Sequence, residues 1–485
     1  MFKRICYTIH RMLGTILSIL FLMWFLSGFV MIYHTFPRVK PSDRYRIMQA
    51  LPDSISGNDS ILNVISGLKT TKLNLKVIDM QPVYQIITED STYYMPEFTS
   101  ESGAKSFDRL TEYAGLWCDA SIEKVDTLTQ LDQWIPFGQL KKDMPIYKFY
   151  FADKDKHELY VSSKSGEALQ FTDKDSRFWA WLGPIPHWIY FTSLRQNTDL
   201  WSNTIVVLCV IGLIVCISGI ILGIRAYITQ YKSKKKLRSP YKKTFYKWHH
   251  ILGFFFGIFV FTFTFSGMMS LVGIPDWMVK THDRGLMRKV MSNGSVSLDR
   301  YKYDCNEILK NYRESVKSID WDSFGDIPLY KVTTDIGVVV LNASSENISI
   351  LNLTEQDVRR RFEKIHGQEV KVSLLTDFDN YYLSRKMESP LPVYKVEVND
   401  ADGSVSYVNP QTGSVRYYNN SSRVSKWTYR ALHAYSIKGL VDRPVLWNIV
   451  MWTTMIGGTL VSFTGLYLGV RYIKRKFKKN KKVTL

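Results

Sequence analysis

The chain of 485 residues is 46% hydrophobic, carries 63 Lys and Arg against 44 Asp and Glu, and is longer than one ordinary domain. The excess positive charge lies in three stretches that hold 20 of the basic residues and no acidic one: residues 1–11, 224–250 and 470–485. The rest of the chain carries 43 basic and 44 acidic residues, and this balance excludes the broad basic surface of a nucleic-acid-binding protein.

Four stretches lack Asp, Glu, Lys and Arg, and each reaches the length of about 20 apolar residues that crosses a bilayer as a helix: residues 12–32, 200–224, 251–275 and 444–470. The first predicts a retained span rather than a cleaved signal peptide, because it runs on into Tyr33, His34 and Pro37 without a small-residue cleavage site. Basic residues collect on the cytoplasmic side of a membrane. Both termini and the loop between the second and third spans are therefore predicted to be cytoplasmic.

This topology predicts an α-helical membrane protein with four transmembrane helices and two large α+β domains outside the cytoplasm. Its predicted order is residues 1–33 (basic N-terminus and first span), 34–199 (first domain), 200–224 (span), 225–248 (basic loop), 249–275 (span), 276–443 (second domain), 444–470 (span) and 471–485 (basic tail). Of the five cysteines, only Cys118 and Cys305 fall in the external segments. A disulfide framework is not indicated, and one bridge between these two stays open.

The two halves of the chain predict a tandem repeat. Matching residues recur in the same order, so each half reads as span, domain, span, and the shared orientation implies a pseudo-two-fold axis along the membrane normal. The matches include His10/His249, Ser27/Ser266, Gly28/Gly267, Asp132/Asp379, Tyr160/Tyr407, Gly166/Gly413, His187/His433, Trp201/Trp447, Gly219/Gly465 and Arg225/Arg471.

Local patterns within the second domain predict both strands and a helix. Alternating residues with turn sequences between them predict strands at 393–398, 405–408 and 414–418. Thr354, followed by Glu355 and Asp357, predicts the N-cap of an amphipathic helix over 353–365.

Four of the nine histidines form two repeat-related pairs, His10 with His249 and His187 with His433. A two-fold axis places such residues at one depth on opposite sides, which is the geometry for ligating one haem iron from both faces. Ionisable groups at membrane depth are costly and usually functional. Histidine ligation and the absence of Cys-x-x-Cys-His indicate b-type haem. We expect two haems, with the His10 pair near the cytoplasmic face and the His187 pair near the external face.

Other residues have more than one interpretation. His34 is either an external ligand or substrate-side residue, or a surface residue; His250 is the alternative to His249; His157, His282 and His366 are expected to be solvated. Gly28 and Gly267 share a helix face with His10 and His249, which lets a flat macrocycle or a helix approach. The pairs Gly219/Gly223 and Gly465/Gly469 favour helix packing. The sequence has neither Gly-x-Gly-x-x-Gly nor a Walker loop, so no internal NAD, FAD or ATP site is predicted.

Four segments resemble the PepSY-associated transmembrane family: residues 181–192, 248–253, 266–270 and 407–413. The resemblance covers nearly the whole chain. It implies a bacterial inner-membrane protein with PepSY-like periplasmic domains, similar to siderophore reductases that carry two b-type haems. The turn at 162–166 lacks the Pro and Thr of its counterpart at 409–413, which predicts a degenerate first PepSY unit.

On that resemblance, the expected function is reduction of a periplasmic ferric siderophore or other iron chelate, with electrons from a quinol or a cytoplasmic reductase and with contacts to membrane lipid. A non-enzymatic periplasmic ligand-binding or peptidase-regulating protein is the alternative, since PepSY units also occur in protease propeptides. A transporter ranks last because the spans have no charge within them. The catalytic residues stay unassigned.

Overall fold

The computed structural model describes residues 1–56, 62–63, 65, 70–78, 81–95, 99–100, 106–292, 296–312, 316–385 and 388–481. It consists of two compact units. We call them the helical unit (Met1–Arg38, Ala120–Ile274 and Val424–Leu485) and the sheet unit (Val39–Asp119 and Pro275–Arg423). The end of the predicted basic tail, residues 482–485, lies outside the described residues.

The described helices are α1 Phe2–Met31, α2 Pro41–Ile47, α3 Phe107–Gly115, α4 Lys174–Leu182, α5 Pro184–Trp188, α6 Thr192–Arg195, α7 Thr198–Lys234, α8 Thr244–Met269, α9 Leu286–Met291, α10 Cys305–Asn311, α11 Glu355–His366, α12 Asn420–Ser425, α13 Leu432–Ala434, α14 Lys438–Val441 and α15 Pro444–Lys481. Two 3-10 turns cover Gly138–Asp143 and Leu298–Arg300, and a π-helical turn covers Lys426–Ala431.

The described strands are β1 Lys72–Ile78, β2 Gln81–Ile87, β3 Thr92–Met95, β4 Thr99–Ser100, β5 Ile122–Leu128, β6 Ile146–Phe151, β7 Glu158–Ser162, β8 Ala168–Thr172, β9 Ser318–Phe324, β10 Ile327–Thr334, β11 Gly337–Asn342, β12 Ser349–Ile350, β13 Lys371–Leu375, β14 Val393–Glu397, β15 Val405–Val408 and β16 Val415–Tyr418. All pair antiparallel.

Four helices are long and apolar enough to cross a membrane, and they fall on the four predicted spans: Lys3–Met31, Thr198–Lys234, Thr244–Met269 and Pro444–Phe477. The protein therefore has the architecture of a membrane protein with additional β-sheet regions. α7 continues past Arg225 because charged residues are tolerated where a helix leaves the apolar layer. α8 ends at Met269 rather than at the expected residue 275. Pro275 lacks a backbone N–H and disfavours helical geometry in the residue before it.

The four long helices form a bundle within the helical unit. α1 packs against α7 and α15, and α8 packs against the same two helices, so α1 and α8 face each other across the bundle. The same unit contains the four-stranded sheet β5-β6-β7-β8. The Gln170 amide fixes this sheet to the segment that follows α1, because it donates to the carbonyls of Pro37 (2.7 Å) and Trp134 (3.0 Å).

The sheet unit differs from the expectation of one separate domain in each external segment. Its larger sheet has the strand order β12-β11-β10-β9-β1-β2-β3-β4. β1, from the first segment, pairs with β9, from the second, with Leu75 opposite Ile319. Both residues are fully buried. Pairing removes two exposed strand edges and buries apolar side chains from both segments in one core.

The local predictions for the second half are confirmed. The strands at 393–398, 405–408 and 414–418 correspond to β14, β15 and β16. The predicted helix is α11, and Thr354 is its N-cap: the Thr354 hydroxyl accepts the Asp357 N–H, and the Asp357 carboxylate accepts the Thr354 N–H. All five cysteines lie in the described chain and none forms a disulfide bond, so the open alternative of a Cys118–Cys305 bridge is not realised.

The turn predicted to be degenerate has the same hydrogen bonds as its counterpart. Ser162 Oγ accepts the N–H groups of the residues two and three positions later, as does Asn409 Oδ1 in the other turn. Gly166 (φ +71°) and Gly413 (φ +66°) close the two turns in the left-handed region that favours glycine. A serine oxygen therefore replaces the asparagine oxygen without changing the turn.

A tyrosine–aspartate contact also recurs. Tyr160 Oη donates to Asp132 Oδ2 at 2.7 Å, and Tyr407 Oη donates to Asp379 Oδ2 at 2.6 Å. In both cases the other carboxylate oxygen accepts a backbone N–H two residues later, at 2.8 Å. Each contact thus fixes a loop onto an inner strand of a four-stranded sheet.

Removing this donor should destabilise the sheet unit. In Tyr407→Phe the Asp379 carboxylate loses the hydrogen bond from the tyrosine hydroxyl. We therefore expect the free energy of unfolding to fall by about 1–3 kcal/mol. Denaturant unfolding of the full-length protein in detergent measures this. Tyr394→Phe, on the neighbouring strand β14, is the control because it leaves Asp379 untouched. Equal midpoints for the two variants would contradict the assignment.

Candidate functional site

Two pairs of histidines face each other inside the helical unit. The ring centres of His187 and His433 are 6.1 Å apart, with their planes at 69°. Those of His10 and His249 are also 6.1 Å apart, with their planes at 38°. The structure thus brings together the two pairs that the sequence comparison selected, each from two distant parts of the chain.

Short helices carry His187 and His433. His187 lies on α5, which begins at Pro184, and His433 lies on α13. Both helices end in a residue with left-handed backbone geometry, Ile189 (φ +53°) and Tyr435 (φ +47°). Non-glycine residues rarely adopt this geometry, and a β-branched one especially so. The surroundings must therefore hold both chain reversals in place.

Tryptophans at the starts of α7 and α15 provide part of that support. Trp201 Nε1 donates to the carbonyl of Trp188 at 2.7 Å. Trp447 Nε1 donates to the carbonyl of Ala434 at 3.0 Å. Each bond fixes the residue directly after a histidine to the first turn of a long helix.

The Nδ1 atoms of His187 and His433 each contact a serine on a long helix. His187 Nδ1 lies 3.1 Å from Ser27 Oγ and 3.2 Å from the Trp24 carbonyl. His433 Nδ1 lies 3.0 Å from Ser266 Oγ. Each serine hydroxyl donates to a carbonyl of its own helix, so the serine oxygen accepts the Nδ1 proton. Ser27 and Ser266 were recognised in the sequence only as repeat matches, and the structure gives them this role.

The other pair is anchored in the same way. His10 Nδ1 donates to the carbonyl of Val215 at 3.0 Å. His249 Nδ1 lies 3.0 Å from Thr464 Oγ1, whose own proton goes to the Leu460 carbonyl. No pattern in the sequence pointed to Thr464 or to a backbone carbonyl of α7.

This anchoring leaves Nε2 of each of the four histidines without a hydrogen-bond partner in the described part of the chain. Burial lowers the pKa of His187 to about 3, helped by the neighbouring His433, and lowers the pKa of His433 to about 4. Both imidazoles are therefore neutral at pH 7, which is the form that binds metal ions. Hydrogen bonding of Nδ1 orients Nε2 of a metal-binding histidine.

A glycine packs against every one of the four imidazoles. A Cβ atom on Gly28 would lie 3.6 Å from His187, and one on Gly267 would lie 3.7 Å from His433. The corresponding distances are 2.6 Å from Gly219 to His10 and 3.3 Å from Gly465 to His249. Gly219 and Gly465 therefore leave room for the rings beside them, whereas the distances at Gly28 and Gly267 are those of ordinary van der Waals contact.

This result changes the interpretation of two sequence motifs. Gly219/Gly223 and Gly465/Gly469 were predicted to serve helix packing. Gly469 does so, because its Cβ would lie 3.2 Å from Thr15 on α1. Gly219 and Gly465 instead contact histidines, and Gly223 has open space around it. Gly219 and Gly465 were matched as partners in the predicted repeat, and that match was the sequence signal that could have indicated a shared role beside the histidines.

The His10/His249 pair lies in a cavity of about 790 Å³. This volume is within the range of about 300–1,000 Å³ typical of cofactor sites. All four long helices contribute to its lining, including Gly14 and Phe21 of α1, Gly219 of α7, Gly257 of α8 and Gly465 of α15. The small residues leave a space beside the two histidines that a broad ligand could fill.

Two further candidates take different positions. The His34 ring stacks on Trp179 at 4.2 Å, and it makes no ring contact with the four paired histidines among the described residues. Both nitrogens of His250 are occupied: Nδ1 lies 3.0 Å from Ser239 Oγ, and Nε2 lies 3.2 Å from the Gly223 carbonyl. His250 therefore ties the loop before α8 to α7, and His249 is the better ligand candidate.

The remaining histidines were expected to be solvated. The His282 side chain is 46% exposed and lies 3.0 Å from Asp402. The expectation is wrong for His366, whose side chain is only 3% exposed and packs on Phe362 at the end of α11. His157 is partly buried and stacks on Phe171.

Comparison of the chain with protein-family models and with curated protein sequences finds no match in either. The resemblance to the PepSY-associated family therefore stays a prediction.

Two glycines about one helical turn apart on α7, Gly219 and Gly223, test the packing around His10. In Gly219→Ala the new methyl group meets the imidazole, so His10 or α7 must shift, at a cost of about 1–3 kcal/mol. In Gly223→Ala the methyl group enters open space and helix propensity improves by up to about 1 kcal/mol. We expect a lower thermal midpoint for Gly219→Ala and an unchanged or higher one for Gly223→Ala, measured on the purified protein. Equal effects would contradict the contact with His10.

Proposed function

We propose that the protein is an inner-membrane electron-transfer protein that holds two b-type haems, one between each histidine pair, and reduces periplasmic ferric chelates for iron acquisition. The observation that carries this proposal is the 6.1 Å separation of ring centres in both pairs. Two imidazoles bound to one iron at metal–nitrogen distances of about 2 Å have ring centres roughly 6 Å apart. Nε2 of each ring is the atom left available for this bond.

The number of ligands supports haem over a bare metal ion. No third His, Cys, Asp or Glu ligand atom forms a cluster within 4.8 Å with either pair, among the described residues. Structural zinc takes four protein ligands. A pair of histidines would instead suit haem, whose macrocycle supplies the remaining ligands of the iron. The cavity beside His10 and His249 supplies space for such a flat group.

The positions of the pairs support electron transfer across a membrane. His10 and Ser27, which holds His187, are 17 residues apart on α1, or about 25 Å along the helix. Aromatic rings lie between them. Phe21 lines the cavity at His10, and its ring centre is 6.1 Å from that of Trp24, whose carbonyl contacts His187.

The direction of transfer follows from the proposed topology. Basic residues flank the ends of the long helices that lie nearest to His10, which favours a cytoplasmic location for that end. The β-sheet regions would then lie in the periplasm, where iron arrives. Without a nucleotide-binding motif in the chain, a quinol or a cytoplasmic reductase must supply the electrons.

Haem when bound supplies one-electron chemistry through its iron, and the protein's part is to set ligation and environment. In this chain the four histidines would ligate, and Ser27, Ser266, Thr464 and the Val215 carbonyl would orient them. Reduction of a ferric chelate to Fe(II) weakens its binding to hard oxygen ligands, because these suit the harder Fe(III) better. The tandem repeat is part of the proposal, since related residues make matching contacts at both sites.

Absorption spectra of detergent-purified protein test the proposal. The oxidised and dithionite-reduced protein should show a bis-histidine b-type spectrum with two haems per chain. His10→Ala and His249→Ala should each remove the same haem, and His187→Ala and His433→Ala the other, because one lost ligand breaks one site. His157→Ala is the control and should retain both. Protein without haem after expression with ample haem would leave a non-enzymatic binding protein as the better hypothesis.

The hydroxyls that orient the histidines should matter less than the ligands themselves. Ser266→Ala removes the acceptor of the His433 Nδ1 proton, and loss of such a partner weakens metal binding about 10–100-fold. Haem transfer to apomyoglobin measures this loss. Thr459→Ala is a control, because its hydroxyl donates to the Met455 carbonyl of its own helix and, among the described residues, to no histidine. Equal retention of haem in the two variants would show that the serine does not orient His433.

A further inference from the structure

The cavity at His10 and His249 has a basic edge. Four cationic side chains are among its lining residues, and they come from three of the long helices: Lys3, Arg11, Arg225 and Arg475. Neither Asp nor Glu occurs in this described lining. These four residues, called the basic edge below, therefore offer positive charge to the cavity without a compensating carboxylate in its described lining.

Arg11 is the cation adjacent to a histidine ligand candidate in sequence. Its guanidinium lies between two aromatic rings, 5.2 Å from the centre of Tyr7 and 4.6 Å from the centre of Tyr472. Such contacts hold a guanidinium in one position. Its Nε is buried and has no hydrogen-bond partner among the described residues. A partly buried guanidinium without a carboxylate partner is stabilised strongly when a ligand supplies an anion that accepts its hydrogen bonds.

The basic edge also distinguishes the two sides of the bundle. The residue that follows His10 is Arg11, whereas the residue that follows His249 is His250. Both His250 nitrogens already bind Ser239 and Gly223. The cavity therefore has a histidine on each side but a neighbouring cation only beside His10. This difference in charge would give a bound anionic ligand one preferred orientation.

We propose that this edge binds the carboxylates of the cavity's ligand and that Arg11 is the inner contact. The inference rests on the proposed function, in which the ligand is b-type haem and the carboxylates are its two propionates. The propionates would then point toward the end of the bundle where α1 begins. Lys3, Arg225 and Arg475 would surround them, and the macrocycle would lie in the apolar part beside the histidines.

Comparing the affinities for haem and for haem dimethyl ester tests the carboxylate contacts separately from haem binding itself. The ester keeps the macrocycle and iron but has no carboxylate charge. The apo form of the full-length protein is titrated with each compound in neutral detergent, and the Soret absorbance of the His10/His249 site is followed in a His187→Ala background. Charge-assisted bonds to a guanidinium predict binding of haem about tenfold or more tighter than binding of the ester.

Variants locate the effect. Arg11→Gln should lower the ratio of the two affinities several-fold, with the three other cations still present, while leaving the affinity for the ester unchanged. Arg11→Lys should restore part of the ratio. Arg4→Gln is the control, because Arg4 is exposed on the same helix and does not line the cavity. If Arg11→Gln does not fold, the comparison of the two compounds on the Arg11-containing protein still decides.

Equal affinity of that protein for haem and ester would overturn the inference and leave the proposed function intact, because haem would still bind. An equal effect of Arg11→Gln and Arg4→Gln would also overturn it. Binding of neither compound would instead refute the proposed function, and this inference with it.

Discussion

The arrangement of the helical unit depends on the hydrogen bonds that hold Nδ1 of four buried imidazoles. Each bond is made to a side chain or carbonyl of a different helix from the one that carries the histidine. A polar group buried in an apolar bundle is costly without a hydrogen-bond partner. Each histidine and the helix that binds its Nδ1 must therefore keep a fixed position relative to each other. The glycines beside the rings and the left-handed residues after His187 and His433 follow from that restriction.

The same hydrogen bonds set the orientation of the rings in the two histidine pairs. With Nδ1 engaged, each ring keeps a single nitrogen available, and the ring centres of each pair lie 6.1 Å apart. An orienting partner of this kind narrows the geometry of a metal ligand before the metal arrives. The long helices α1 and α8 carry His10 and His249. The other two histidines lie on the short helices α5 and α13, which tryptophans of α7 and α15 hold in place. Around the His10 pair the unit also leaves room for a large group.

Similar local rules act in the β-sheet regions, with a different outcome. The turns at Ser162 and Asn409, and the contacts of Tyr160 and Tyr407 with aspartate, are nearly identical. Nevertheless the strands of the two segments do not form two separate domains, because β1 and β9 join in one sheet. Edge strands with buried apolar residues on one face pair with whatever matching edge is available. Local similarity therefore did not determine which strands share a core.

The sequence by itself determined the four apolar spans, the hairpin strands near residue 400 and the N-cap at Thr354. It also determined which histidines form pairs, His10 with His249 and His187 with His433. These depend on periodicity, turn chemistry and repeated spacing, which are local or can be compared along the chain. Only the tertiary structure decided that Gly219 contacts His10, that Thr464 orients His249, that His250 is fully bonded and that β1 pairs with β9. Each of these depends on which atoms meet across elements distant in sequence, and residue type alone does not specify such meetings.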